Sequence, residues 1–403
     1  MTHRRQFLAA LAAGVGAGGC LELRSPSERT ATETRDRTPA TTRERATATP
    51  TAVSTSTGTA DWPGLRRGPR NSASVPEAAG PQSKPTAVRR LTASEGELRT
   101  AAVVDGTVYA SDDDGGVHAF DSGTGQRRWY TPGTGAIFHT PAVADGTVVV
   151  GAGDAGVKAL DAETGQQRWS WSVRERVTSA PAIADGTVYA GRETVAALAL
   201  DSGREQWQRG FEHATGTPAV TDGTVVVPAG NGSIVGLDRA TGRRRFRFSA
   251  VLQHISEAVI VARSAYVPAS DGSIRAIHLE TGDQRWATTI AEPSDDRSVL
   301  PLRPAVAGST LVTGVETDGS VTVVGLDMAD GSTRWTWSPD SFVSAPVAAG
   351  PTVYLCVGTR LTAIAAADGS ERWTIEHRRV PDTLVLAGGR LYVQGNSIRV
   401  YAD

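Results

Sequence analysis

Ala142-Val143-Ala144-Asp145-Gly146-Thr147-Val148, followed by Ala159-Leu160-Asp161-Ala162-Glu163-Thr164-Gly165 and ending on Arg168-Trp169, is one copy of a unit that returns along most of this chain. Its opening sets Asp-Gly between alternating apolar residues, the pattern of a two-residue β-hairpin turn whose central residues take positive φ. Asp105-Gly106, Asp185-Gly186 and Asp222-Gly223 repeat it, Gly308-Ser309, Gly350-Pro351 and Gly388-Gly389 keep the turn with other residues, and Arg263-Ser264 is the poorest match. A second turn follows the third strand, at Thr124-Gly125, Thr164-Gly165, Thr241-Gly242, Thr281-Gly282, Asp330-Gly331 and Asp368-Gly369. Glycine supplies there a conformation that other residues resist. Each unit therefore reads as four short antiparallel strands.

The last strand of each unit carries an aromatic residue: Trp129, Trp169, Trp207, Phe246, Trp286, Trp335 and Trp373, spaced 40, 38, 39, 40, 49 and 38 residues apart. A period in this range signals a solenoid, a propeller or an array. Four-stranded units with little helix signal between them fit a β-propeller. A lone sheet of this size cannot bury its faces, so neighbours must stack. A Trp on the outermost strand buries ~150–250 Å² between adjacent sheets and still offers its N–H to a partner. Removing one should cost about 3–5 kcal/mol.

An eighth unit begins at Leu384 and stops after Ile398-Arg399-Val400-Tyr401, lacking a fourth strand. The segment from Thr86 to Leu91 precedes the first complete hairpin and is expected to supply that strand. The fold class is then all-β: an eight-bladed propeller of four-stranded antiparallel sheets, closed by pairing of its N- and C-terminal strands. Closure also removes the exposed sheet edges of an open array.

Residues 1–19 have the charged start and apolar run of a secretory signal. Arg4-Arg5-Gln6-Phe7-Leu8 resembles a twin-arginine signal, and Ala17-Gly18-Gly19-Cys20 resembles a lipobox, which would place a lipid on Cys20 and anchor the chain to a membrane. Residues 21–60 hold twelve Thr and no aromatic residue. Such a composition cannot bury enough apolar surface to order itself, so 20–60 reads as a disordered tether and 61–403 as the propeller. A flexible chain of that length spans ~35 Å.

The whole chain carries 41 basic and 43 acidic residues. The absence of a basic excess argues against a nucleic-acid partner. Lys84 and Lys158 are the only lysines, so the positive charge is almost entirely arginine. The single cysteine besides Cys20, Cys356, lies in an apolar strand-like run and reads as a small buried hydrophobe.

The run from Ala159 to Trp169 resembles the pyrroloquinoline quinone (PQQ) repeat, also called the tryptophan-docking motif, and Asp61-Trp62-Pro63 with Arg66, Arg67 and Asn71 is similar to the segment that precedes such repeats. The likeness covers residues 61–403. The resemblance implies one of two classes: quinoprotein dehydrogenases, or non-catalytic propellers that include BamB and surface lipoproteins. In the dehydrogenases PQQ is held with calcium and a stacking Trp, and in alcohol-oxidising members with a disulfide between adjacent cysteines. This chain has no adjacent cysteine pair. Sugar-oxidising members lack the clamp as well, so a dehydrogenase of that sort stays open.

Loops from one blade's last strand to the next blade's first, together with those between second and third strands, crowd one mouth of a propeller. The former carry Arg99, His139, Arg176, His213, His254, Arg297, Arg303 and Arg378, the candidate ligand-binding rim. The latter carry Asp112, Asp113, Asp114, Asp154, Glu193, Asp271, Glu316 and Asp318. Polar loops of mixed charge are also how ordinary surfaces look. No short-spacing metal motif joins the three histidines, so no metal is expected. Asp112-Asp113-Asp114-Gly115-Gly116 lacks the spaced ligands of an EF-hand and reads as a solvated turn. Asp121, Asp161, Asp201, Asp238 and Asp327 recur before a turn and are expected to cap its N–H groups, with His278 breaking the series.

These readings favour a non-enzymatic, lipid-anchored, extracytoplasmic scaffold for a protein or polysaccharide, with no cofactor. The alternatives are a sugar-oxidising dehydrogenase using PQQ and calcium, and a small-ligand sensor using the rim.

Overall fold

A computed structural model of the protein describes residues 61–403 apart from 76–79, 134–138, 175, 178, 214, 250–256, 293–298, 318–319, 378–382 and 396. Arg4, Arg5, Cys20 and the segment 20–60 lie outside the described residues, as do His254, Arg297, Arg378 and Asp318. The strands form eight sheets, antiparallel except where Ser74–Val75 pairs in parallel with Ala348 and Ala349 of the seventh. Blade 1 comprises Leu98–Val104, Thr107–Asp112, Val117–Asp121 and Arg127–Thr131. Blades 2 to 7 follow at 142–171, 182–210, 219–249, 259–289, 299–337 and 347–376. Blade 8 consists of Leu384–Ala387, Arg390–Gln394 and Ile398–Ala402, and its outer strand is Thr86–Leu91, with Thr86 opposite Ala402 and Leu91 opposite Ile398. The ring is an eight-bladed propeller closed by its two chain ends.

The Asp-Gly hairpins at Asp105, Asp145 and Asp185 form as read, with both central residues at positive φ. Two turns differ. Asp222-Gly223 keeps its central place, since Thr221 N–H donates to the Thr224 carbonyl at 2.9 Å, but neither residue has positive φ and the Thr221 hydroxyl accepts from Thr224 N–H at 3.0 Å. Val261 pairs with Ser264, which moves the fifth blade's turn to Ala262-Arg263, with Ala262 at φ 50. The 49-residue spacing between Trp286 and Trp335 holds an extra strand, Val299–Pro301, paired with Val315 to Thr317.

Each ladder indole docks on the following blade. Trp129 Nε1 donates to the Ala162 carbonyl at 2.9 Å, Trp169 to Leu200 at 2.7 Å, Trp207 to Arg239 at 2.9 Å and Trp335 to Ala366 at 2.9 Å. The ring face lies on the turn glycine: a Cβ on Gly165 would stand 2.6 Å from Trp129 Cε3. Blade 8 lacks this turn, and the chain leading into the propeller replaces it. Trp373 Nε1 and Tyr354 Oη both donate to the Pro81 carbonyl, at 3.3 and 3.1 Å.

The arginine bias has a structural use. Arg168 donates to Asp161 Oδ2 at 2.7 Å and to Thr147 Oγ1 at 2.6 Å, tying the outer strand to the turn and to the second strand of its own blade. Arg245 and Arg334 repeat the clamp with Asp238 and Thr224, and with Asp327 and Thr310. A planar fork with several donors can bridge two acceptors at fixed angles, and an ammonium cannot match that geometry.

The segment Trp62 to Val75 winds past the innermost strands at the end of the channel opposite the candidate mouth. Trp62 exchanges two hydrogen bonds with Val103. The carbonyls of Pro63, Pro69, Arg70, Ser72 and Ala73 then accept from Val143, Val220, Ile260, Val306 and Ala348, one from each of blades 2, 4, 5, 6 and 7. Inner strands expose N–H groups toward the channel, and this strap satisfies them.

Candidate functional site

Antiparallel order puts the loops between second and third strands at the same end as the connections between blades, so the mouth forms as a surface. Its charged groups pair locally, within a blade or with a neighbouring one. Arg99 lies 3.8 Å from Asp113, and Arg176 lies 3.0 Å from Asp154. Arg303 meets Glu257, which is buried, and Arg360 meets Asp340. Arg99 sits on the first strand of blade 1, inside a register shift between Leu98 and Ala101, and not in the connecting loop. Arg303 lies between Val299–Pro301 and the next strand, Ala305–Ala307. His139 sits in the connection between blades 1 and 2. His213 lines a cavity of about 160 Å³ between blades 3 and 4.

The triple-Asp segment is not a solvated turn throughout. Asp112 is fully buried: its Oδ2 lies 2.7 Å from His118 Nε2, and its Oδ1 accepts from Gly116 N–H at 2.6 Å. His118 stacks on Tyr130 with ring centroids 4.6 Å apart, and its Nδ1 has no hydrogen-bond partner among the described residues. Asp113 and Glu97 continue the segment at the surface, with Glu97 N–H donating to Asp113 Oδ1 at 2.8 Å. A buried carboxylate needs such donors, because desolvation otherwise removes its charge. The two residues sit on neighbouring strands, and no spacing rule marked them.

The recurring aspartates do cap turns. Asp161 Oδ1 accepts from Glu163 and Thr164 N–H groups at 3.0 and 2.8 Å, and Asp121 and Asp238 repeat the arrangement. His278 takes the same place, its Nδ1 accepting from Glu280 N–H at 3.4 Å. Asp201 is displaced by two residues, since Ala199 occupies the register position opposite Thr187 that Asp161 holds opposite Thr147. Asp201 makes a bond only with the neighbouring Ser202 hydroxyl among the described residues.

At the strapped end, a cavity of about 500 Å³ opens beside Ile183, Asp61, Arg67, Asp105 and Asp145. Burial pushes the Asp61 carboxyl upward, opposed by the Asp105 N–H that donates to it at 3.2 Å. Sequence reading gave no sign of this space, because the strap is bonded through backbone carbonyls.

Comparison with protein families matches residues 51–217, 171–300 and 297–402 to the model of the outer membrane protein assembly factor BamB. The chain belongs to the BamB family. BamB of Moraxella catarrhalis is similar in structure, with a TM-score of 0.66 at 17% identity over 79% of this chain and 100% of that one. Quinohemoprotein alcohol dehydrogenase ADHIIG from Pseudomonas putida HK5 is similar as well, with a TM-score of 0.71 at 14% identity over 85% of this chain and 80% of that one. So is the computationally designed Ika8 protein, with a TM-score of 0.68 at 17% identity over 79% and 99%. At these identities the likeness concerns the fold alone. No curated protein matches the chain. Among the described residues of this BamB-family propeller, no three His, Cys, Asp or Glu side chains gather as a metal site. Cys356 is buried in its strand.

Proposed function

We propose that this protein is a lipid-anchored, extracytoplasmic binding platform without catalytic chemistry, held to a membrane through Cys20 and engaging a protein or polysaccharide with its mouth. The observation that carries the reading is the self-pairing of the mouth. Arg99 with Asp113 and Arg176 with Asp154 are exposed, matched within their own blades and not aimed at one shared point. Active sites bring titratable groups together, whereas recognition surfaces spread donors and acceptors over a wide area. The chain enters the propeller at Trp62, on the strapped end. Membership of a family named for an outer membrane assembly factor supports placement outside the cytoplasm.

The test is site-specific photo-cross-linking in cells from Arg99 and Arg176 at the mouth and from Asp145 at the strapped end, combined with fractionation of Cys20→Ala. The expected result is one defined adduct from the mouth positions only, and release of Cys20→Ala from the membrane fraction. Equal adducts from Asp145, or a new absorbing species after incubation with PQQ and calcium, would sink the reading.

A further inference from the structure

We infer that the outer groove between blades 3 and 4 is a binding site for an anionic sugar, the recognition unit of an acidic polysaccharide. This rests on the binding-platform reading and gives it a ligand class. The groove is the cavity of about 160 Å³ next to His213. Arg209 approaches it from the outer strand Glu205–Gly210, and Arg244 and Arg247 approach it from Arg244–Ser249.

These three arginines differ from four others on outer strands. Arg128, Arg168, Arg245 and Arg334 are each committed to a turn aspartate of their own blade. Arg209, Arg244 and Arg247 have no acidic partner among the described residues, and Glu212 is the one carboxylate lining the groove. Register explains the convergence. Arg244 lies opposite Leu237 and Arg247 opposite Val235, and these two apolar residues pack with Trp207 toward blade 3. The forks therefore stand over an apolar floor where the seam between blades opens outward.

The cavity is well under the ~300–1,000 Å³ of a drug-sized site and has room for one ring. Guanidinium forks bind carboxylates and sulfates in a two-point geometry. The half-buried Phe211, beside the buried Val235 and Leu237, offers the non-polar surface that the C–H face of a sugar needs. Asn231 spends its carbonyl oxygen on Ser233, which accounts for its orientation and leaves its amide N–H groups for a hydroxyl. A single charged ring with hydroxyls uses all of these groups. An extended acidic peptide would use the forks but not the enclosed floor.

Titration calorimetry of the full-length chain with an oligoglucuronate, a neutral oligoglucose of equal length and an oligoglutamate of equal charge tests the assignment. The oligoglucuronate should bind most tightly. Arg247→Ala should weaken it about tenfold or more, and Arg247→Lys, which keeps charge but not the fork, should weaken it also. Arg263→Ala, on the far hairpin of blade 5, should change nothing. Tighter binding of oligoglutamate would assign the groove to acidic peptides and overturn the sugar. Unchanged affinity in both Arg247 variants, or no binding of any acidic probe, would remove the site while leaving the Arg99 and Arg176 cross-links to decide the mouth independently.

Discussion

Arg89 occupies the ladder position of the strand that closes the ring, and its Nε donates to the Gly123 carbonyl at 2.5 Å. The register shift between Ala87 and Arg89 matches the one between Gln167 and Trp169, so a guanidinium stands where blade 2 has an indole. Arg390 reinforces the same turn through the Ser122 carbonyl at 3.2 Å. A stacked indole buries far more area than an exposed arginine, so the closing seam lacks the apolar ladder contact that the indole seams have. Arg89→Ala should cost about 1 kcal/mol, and the loss should be local. Hydrogen exchange is expected to show faster exchange in 86–91 and 398–402 than in blades 3 to 5. Uniform loss across all blades would contradict this.

Glycines at the docking turns carry a packing role that those of the Asp-Gly hairpins lack, and substitution can separate it from the conformational one. Gly165 has φ 73 and lies under Trp129, while Gly186 has φ 68 and meets nothing within 4 Å of an added Cβ. Gly186→Ala should therefore cost only the conformational part, about 1 kcal/mol. Gly165→Ala adds a clash with a packed ring and should cost about 1–3 kcal/mol more. Chemical denaturation of the two variants measures the difference. Equal costs would mean that the indole yields without penalty.

The features that were legible in the sequence are those with side-chain signatures. Turn glycines and ladder aromatics each repeat, and the truncated last unit required an outer strand from the N-terminus. Arg89 stands 40 residues before Trp129, the ladder's own spacing, but a search for aromatic residues passes over it. The strap from Trp62 to Val75 is held by carbonyls, which every residue has. Asp222-Gly223 has the residues of a type I′ hairpin, yet the Thr221 hydroxyl takes the Thr224 N–H and the turn forms without positive φ. At the mouth, charged residues were visible and their pairing was not, because Arg99 reaches Asp113 across strands whose register only the fold sets.

Arginine clamps should make stability fall in acid. The Arg168 fork, with help from the Thr164 N–H, holds Asp161 at about 2. Asp121, Asp238 and Asp327 are likewise held below the usual carboxylate range, by Arg128, by Thr241 with Arg245, and by the Ala329 N–H with Arg334. A folded-state value below the unfolded one, near 4, means that the native state binds fewer protons in between. The stabilisation is complete above about pH 4 and is lost as pH falls toward 2. Each clamp is exposed and weakened by salt, so the effect shows as a sum. Denaturant midpoints followed from pH 5 to pH 2 should decline less steeply in Asp161→Asn than in the parent chain. An identical slope would show that the clamp does not couple to folding.

The Asp112–His118 pair is the one place where this propeller buries a carboxylate and an imidazole together, among the described residues with both side chains at 0% exposure. Removing one partner leaves the other desolvated and alone, a loss of about 3–5 kcal/mol for Asp112→Ala. Asp112→Asn keeps an oxygen for the Gly116 N–H and turns an amide N–H donor toward His118 Nε2, and should cost about 1 kcal/mol. His118→Phe preserves the stack on Tyr130 while stranding the carboxylate, so it too should be costly. Combining Asp112→Ala with His118→Phe removes both polar groups, and the double variant is expected to lose less than the sum of the two single losses. A strictly additive cycle would show that the two side chains contribute independently, with the 2.7 Å contact carrying no coupling.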